Sequence, residues 1–270
     1  MSSVVNQPWF NLHKYFAQAD AVDLDEGMVA YERYSMVMRR LADKYSTPVD
    51  RVCAAFCSLS PNSDYWGNLR STVSVLQGIR ECRPDTEIVV STYGHCKTRA
   101  LAYARGVKSF TTETKGLKIL NFYHNILTPH STRWVTIDGH MVGVLRDHKG
   151  TMKELLIKPR EYEVYADLIK QFAFKNFMLP QQMQATLWFV RKRLLNVKYD
   201  AQHDLFGSSD DMWKTARNVD EIKPYSKREG LWLGVKEIVE TAELSLEGGE
   251  CREVRVSKKA RRSSARSAKP

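Results

Sequence analysis

The spacing of apolar residues is the feature that most constrains how this chain folds. Along the first 200 residues, large apolar side chains recur at intervals of three and four, the period of one α-helix face. One such face carries Tyr31, Tyr34, Met38, Leu41 and Tyr45. The same spacing predicts helices at 47–60, 63–82, 116–127, 139–148, 160–176, 179–196 and 231–244, and one ending near residue 106. The best extended candidate, 133–138, is short, so the sequence predicts an all-α fold.

Composition divides the chain into three parts. Residues 1–200 form the predicted compact helical domain, and residues 201–254 form a more polar extension with one helix. Residues 255–270 hold seven of the 41 lysines and arginines and no acidic residue, so this tail carries most of the net charge of +10. Such a tail is predicted to be disordered and to bind polyanions, nucleic acid above all. A tail that only improves solubility is the alternative.

Several kinds of chemistry have no motif in this sequence. It lacks the phosphate-binding loops GxxxxGK(S/T) and GxGxxG, the GxSxG nucleophile motif and the HExxH zinc motif. The five cysteines form no CxxC pair and the histidines are irregularly spaced, so we predict free thiols, no metal and no cofactor. No segment approaches the roughly 18 to 20 apolar residues of a membrane span, and the N-terminus lacks a signal-peptide layout. We expect a soluble, monomeric protein.

The helix predicted at 116–127 is apolar around most of its circumference, which is typical of a buried helix. Its exceptions, Lys118, Asn121 and Asn125, are spaced i, i+3 and i+7 and form one narrow polar stripe. We expect this stripe to line a cleft, where burial would lower the pKa of the lysine and make its amine a nucleophile. A lysine whose stem packs on the protein while its amine reaches solvent is the alternative.

A second ionisable group interrupts the apolar sequence further along the chain. Asp138 follows the extended segment RWVTI and precedes a helix, which is the position of an N-cap. The helix dipole and the first backbone amides keep a carboxylate ionised there. Asp138 is therefore predicted either to cap the helix alone, or to cap it and also supply a fixed negative charge to a cleft.

Together these residues resemble the helix-hairpin-helix superfamily of DNA glycosylases, of the endonuclease III type. The resemblance rests on Gly116-x-Lys118 at the start of an apolar helix, followed by V-x-I-D-x-H with Asp138 and His140. AAFCSLSPNSDYWGNLRS resembles an early helix–loop–helix of that family, with Asn62 where a polar residue helps to fill the gap left by an extruded base. The resemblance covers residues 30–195 and implies a cleft between two helical subdomains.

The resemblance implies excision of a modified base from double-stranded DNA. The target nucleotide is extruded into a pocket, and Asp138 stabilises the positive charge that develops on the sugar. Lys118 attacks C1′, and the resulting Schiff base permits strand cleavage. A lysine at this position is found in bifunctional members, so combined glycosylase and AP lyase activity is expected. Asn121 and Asn125 share the stripe of Lys118 and are expected to contact the extruded nucleotide.

The hairpin before Lys118 departs from the family pattern Leu-Pro-Gly-x-Gly. The sequence TTETKG retains Gly116 but has Thr114 in place of the first glycine. The family hairpin binds a DNA phosphate through backbone amides, often with a bound cation, and here Lys115 or the basic tail is expected to compensate. We expect His140 to belong to the same DNA-binding set. The iron–sulfur cluster of many members is not expected, since only Cys251 lies beyond Asp138.

Two other functions remain open at this stage. A non-catalytic DNA-binding protein could retain the glycosylase fold, and the altered hairpin favours it. A helical structural or interaction module would use Lys118 and Asp138 only for packing and capping. A compact chain without targeting signals suggests a phage or bacterial origin, and therefore a location at the nucleoid, in the cytoplasm of the cell or of a phage host.

Overall fold

The computed structural model of this protein describes residues 3–61, 63–148, 155–195, 217–227 and 229. Within these ranges it is helical and contains no strand, as the apolar spacing predicts. The helices are α1 (Ser3–Phe16), α2 (Ala21–Tyr45), α3 (Val49–Leu59), α4 (Tyr65–Arg80), α5 (Gly94–Ala104), α6 (Phe110–Glu113), α7 (Leu117–Leu127), α8 (Gly139–Arg146), α9 (Pro159–Lys175) and α10 (Pro180–Leu194), with short 3-10 turns at Asp85–Glu87 and Val219–Glu221. None of these helices is long and apolar enough to cross a membrane.

The centre of the molecule is the pairing of α2 with α10. The predicted apolar face of α2 is buried throughout, with Tyr34, Met38 and Leu41 fully enclosed. Gly27 of α2 allows close approach, because a Cβ atom on it would lie 2.7 Å from the Cα and backbone N of Thr186 in α10. Helix α10 also contacts α1, α8 and α9, so it connects the two ends of the chain's helical region.

The segment predicted to be extended, 133–138, forms neither helix nor strand: it begins in a bend at Arg133 and ends at Asp138, whose backbone is extended. Buried backbone amides need partners, and here side chains supply them. The amide of Val135 donates to Oδ1 of Asn121 in α7 (3.2 Å), and the amide of Ile137 donates to the hydroxyl of Tyr162 in α9 (3.0 Å). The buried part of this segment is thus bonded to side chains of α7 and α9.

The compact unit is longer than the predicted domain of residues 1–200. It runs from Met1 to Gly230, and a second unit runs from Leu231 to Pro270. Arg70 of α4 lies over the ring of Tyr225 at 4.1 Å and pairs with Glu229 at 2.7 Å, while Ile222 is buried. Part of the predicted extension therefore packs on α4. The predicted helix at 231–244 and the basic tail lie outside the described residues.

The contact between α2 and α10 yields a prediction about stability. Gly27→Ala is expected to lower the free energy of unfolding by about 1–3 kcal/mol, because the added methyl meets the backbone of Thr186, which cannot turn aside. Urea denaturation followed by circular dichroism would measure the change. Gly94→Ala is the matched control, since a Cβ there meets no atom within 4 Å and a stability loss is not expected. Equal losses in both variants would contradict this account of the contact.

Candidate functional site

Asp138 is the most firmly held of the predicted site residues. It is the N-cap of α8, and its Oδ1 accepts a hydrogen bond from the amide of Met141 (2.9 Å). Its Oδ2 accepts from Nε1 of Trp188 in α10 (2.9 Å). The carboxylate is 7% exposed. The predicted capping role is confirmed, and the second bond fixes the plane of a buried carboxylate, as hydrogen bonds to a charged acceptor do.

The hydroxyl of Tyr162 lies close both to the backbone next to Lys118 and to the backbone next to Asp138. It accepts from the amide of Ile137, the residue before Asp138, at 3.0 Å. It also lies 3.5 Å from the carbonyl oxygen of Leu117, the residue before Lys118. The first turn of α7 and the N-cap of α8 therefore meet in space, as a shared site for the two predicted catalytic residues requires.

Lys118 is exposed, whereas we expected it to line a cleft that removed it from water. Asn121 and Asn125, which share its stripe on α7, are buried, whereas Lys118 in the first turn of the helix is not. In the free protein this side chain is therefore in contact with water, contrary to the expectation of burial. The alternative, a lysine whose amine reaches solvent, describes the position better.

The other two residues of the polar stripe, Asn121 and Asn125, are buried and bonded within the protein. Asn121 donates to the carbonyl of Leu117 (2.8 Å) and accepts from the amide of Val135. Asn125 is 0% exposed and donates to the hydroxyl of Thr136 (3.0 Å). Both side chains hold the extended segment against α7. The expected contact with an extruded nucleotide is corrected accordingly, since these amides face the interior.

The start of α7 is open to an anion. No side chain caps this helix, so its first backbone amides remain available. Gly116 has a φ of −76°, and a Cβ atom on it would meet nothing within 4 Å. A glycine is therefore not required at position 116 for the backbone conformation, but the lack of a side chain leaves this surface open. Lys115 beside it is exposed, so cationic groups and free amides share this surface.

Sequence analysis missed a buried lysine close to Asp138. Lys192 of α10 is 6% exposed, and its Nζ lies 4.8 Å from the ring centroid of Trp188. Burial lowers the pKa of Lys192 to about 8, and attraction by Asp138 opposes that shift. The ring of His140 contacts the same indole edge-on, at 5.4 Å between centroids. Sequence analysis missed it because Lys192 belongs to the basic sequence RKR near the end of α10, a pattern that is typical of a solvent-exposed helix end.

Asn62 lies outside the described residues, but the residues on either side of it show where that loop is anchored. Pro61 accepts a hydrogen bond from the hydroxyl of Thr92. The hydroxyls of Ser63 and Ser91 are 3.1 Å apart. The residues on both sides of Asn62 are therefore bonded to the segment that leads into α5.

The described cysteines and histidines take no part in this site beyond His140. Cys53 and Cys57 are free and buried, and burial raises the pKa of both thiols. His124 stacks in parallel on Trp134 at 4.0 Å. Over the residues that the structure describes, no three His, Cys, Asp or Glu side chains come together as a metal site would require.

Comparison with known proteins places the chain in a family. The family described as a family of unknown function, DUF7178, matches residues 2–194, and the chain belongs to it. No curated protein and no solved structure matches the chain.

Removal of the Tyr162 hydroxyl tests the junction between α7 and the Asp138 segment. Tyr162→Phe leaves the buried amide of Ile137 without its acceptor, so we expect a loss of about 1–3 kcal/mol in the free energy of unfolding. Tyr165→Phe is the control, because that hydroxyl accepts a longer bond, 3.4 Å, from the partly exposed Arg146. Chemical denaturation of both variants would measure the difference. A loss no greater for Tyr162→Phe than for the control would contradict the role assigned here.

Proposed function

We propose that this member of the DUF7178 family is a DNA glycosylase with AP lyase activity, which removes a modified base from double-stranded DNA. The observation that carries the proposal is the junction at Tyr162, where the start of α7, with Lys118, meets the N-cap of α8, with Asp138. By the resemblance to helix-hairpin-helix glycosylases, these positions would hold an amine nucleophile and a carboxylate. The geometry supports their acting on one nucleotide.

Asp138 would supply the electrostatic part of the reaction. Breaking the N-glycosidic bond leaves the electron pair on the departing base and positive charge on the sugar. A carboxylate that is held in place before the reaction stabilises that charge without having to reorient. The bonds from Met141 and Trp188 hold Asp138 in this way. Its burial keeps the charge in surroundings less polar than water, where its effect on the sugar is greater.

Lys118 would supply the nucleophile. Its neutral amine attacks C1′ as the base departs with the bonding electrons and takes up a proton. The nitrogen then gives up a proton and the ring oxygen O4′ takes one as the C1′–O4′ bond breaks, which opens the sugar ring and leaves a protonated imine between Lys118 and C1′. Removal of a proton from C2′ expels the 3′ phosphate and cleaves the strand. Because the free protein leaves Lys118 exposed, bound DNA would have to provide the desolvation that favours its neutral form.

The DNA backbone would bind at the start of α7. Uncapped amides at a helix N-terminus bind phosphate, and Gly116 leaves room for close approach. Lys115 adds a positive charge at the same surface. These features would replace the first glycine of the family hairpin, where this chain has Thr114. Such a contact is made to the backbone and therefore contributes affinity without reading sequence.

The decisive experiment traps the covalent intermediate. Duplex oligonucleotides, each with one modified base or an abasic site, are incubated with the full chain and borohydride. We expect a protein–DNA adduct that maps to Lys118 by mass spectrometry. Lys118→Gln should abolish the adduct, and Asp138→Asn should lower the rate of base release at least a hundredfold, the effect of losing a preorganised electrostatic group.

Lys115→Gln is the matched control for the trapping experiment. It removes an exposed lysine three residues from Lys118 and should leave adduct formation intact at saturating protein. Because it removes a phosphate contact, it should weaken DNA binding at low salt and reduce the salt dependence of binding by about one unit of slope. If wild type and Lys118→Gln release or nick every substrate alike, the site assignment fails.

A non-catalytic DNA-binding protein is the second candidate, and the exposure of Lys118 in the free protein favours it. In that case Gly116, Lys115 and the start of α7 would still bind phosphate. DNA binding that depends on Lys115, without base release on any substrate and unaffected by Asp138→Asn, would support this candidate. Absence of DNA binding at any salt concentration would exclude both.

A further inference from the structure

We propose that the outer face of α9 binds the same face of a second copy of this chain, so that two molecules form a two-fold dimer with their α9 helices antiparallel. The outer face consists of Val164, Asp167, Gln171 and Phe174, with Phe177 just after the helix. The inference does not depend on the proposed function. It departs from the monomer that the sequence led us to expect.

Two phenylalanines at the end of α9 extend into solvent. Phe174 is 83% exposed and Phe177 is 98% exposed. Phe172 of the same helix is fully buried and packs edge-on against Trp9 and Phe16 of α1, so the helix has its own core contact on the other side. Single exposed apolar residues are common on protein surfaces, whereas a group of them marks an interaction site.

The backbone at Phe177 has a conformation that favours glycine. Its φ is +57°, in the left-handed region. The amides of Phe177 and Met178 donate to the carbonyls of Phe174 (3.2 Å) and Ala173 (3.0 Å), which is the Schellman arrangement that ends a helix. Glycine is the usual residue at this position because a Cβ atom is unfavourable there. Phe177 therefore costs stability without burying its ring, and a contact outside the chain would explain why it is there.

The outer face of α9 is symmetric about position 169. Val164 and Phe174 each lie five residues from that position, and Asp167 and Gln171 each lie two residues from it. All four are exposed, and their intervals of three and four keep them on one side of the helix. Antiparallel pairing about a two-fold axis at this level brings Val164 of one copy to Phe174 of the other, and Asp167 to Gln171. A face that matches itself in this way identifies its partner as a second copy.

The charges beside this face follow the same symmetry. Glu163 and Lys175 each lie six residues from position 169, and both are exposed. Antiparallel pairing places Glu163 of each copy beside Lys175 of the other, whereas parallel pairing would place like charges together. Asp167, close to the axis, is paired with Lys170 of its own helix at 3.1 Å, which limits repulsion between the two copies of Asp167.

Sedimentation of the full chain without DNA gives the first test. Between about 1 and 100 µM, where weak specific dimers form, the apparent mass should rise from the 31.1 kDa of one chain towards twice that value. Phe174→Asn should weaken association about tenfold or more, because it removes an apolar side chain from both halves of the interface. Val107→Ser is the control, since Val107 is 75% exposed between α5 and α6 and its loss should leave the dimer unchanged.

Phe177→Gly separates a role in association from a role in folding. At about 1 µM, where single chains predominate, this variant should melt about 2–4 °C higher than wild type, because glycine adopts a positive φ without strain. The same variant should associate more weakly than wild type. A lower melting temperature at this concentration would mean that Phe177 supports the fold, and would contradict the role assigned to it.

Exchanged charges test the antiparallel arrangement. Glu163→Lys and Lys175→Glu should each weaken association about tenfold or more, since each variant places two pairs of like charges together. An equimolar mixture of the two variants should associate, because every such contact then joins opposite charges. The double variant should associate for the same reason. Added salt should reduce these differences.

Three results would overturn the proposal. A wild-type chain that stays monomeric up to about 100 µM has no such dimer. Cosedimentation of that monomer with vesicles of anionic phospholipid, lost in Phe174→Asn, would then assign the face to a lipid surface. Association unchanged in Phe174→Asn would place the interface elsewhere on the molecule. A mixture of the two charge variants that associates no better than either variant alone would exclude antiparallel pairing.

Discussion

The hydrogen bonds to one buried carboxylate, that of Asp138, hold three parts of the structure together. Asp138 is the N-cap of α8 and also the acceptor for the indole of Trp188, so one side chain ends an extended segment, starts a helix and binds that helix to α10. An unpaired buried charge is strongly unfavourable, and two hydrogen bonds of good length offset that penalty. Because α10 also packs on α2, the position of the carboxylate is set by the central helix pair of the fold.

The same constraint explains the polar residues of α7. An extended segment enclosed by helices has no neighbouring strand to pair with, and Asn121, Asn125 and Tyr162 supply the partners that a strand would have given. Their polarity is therefore structural. Lys118, which shares their spacing, faces solvent instead. Residues on one helical stripe can thus be either buried hydrogen-bond partners or exposed to solvent, and helical spacing alone does not show which.

Two lysines of this chain, Lys118 and Lys192, differ in their surroundings. Lys118 is exposed at the start of a helix with free amides, a position suited to meeting DNA. Lys192 is buried against Trp188.

The all-α class, the buried face of α2 and the capping role of Asp138 can be predicted from the sequence, because helical period and cap position are local properties of a chain. Which polar side chains face inward, and which lysine is buried, depends on how the helices pack. Lys192 lies in a run of basic residues that looks solvent-exposed, and only the packing of α10 against four other helices buries it. Burial depends on contacts between residues far apart in sequence, such as Asp138 and Trp188, and periodicity within one helix contains no information about them.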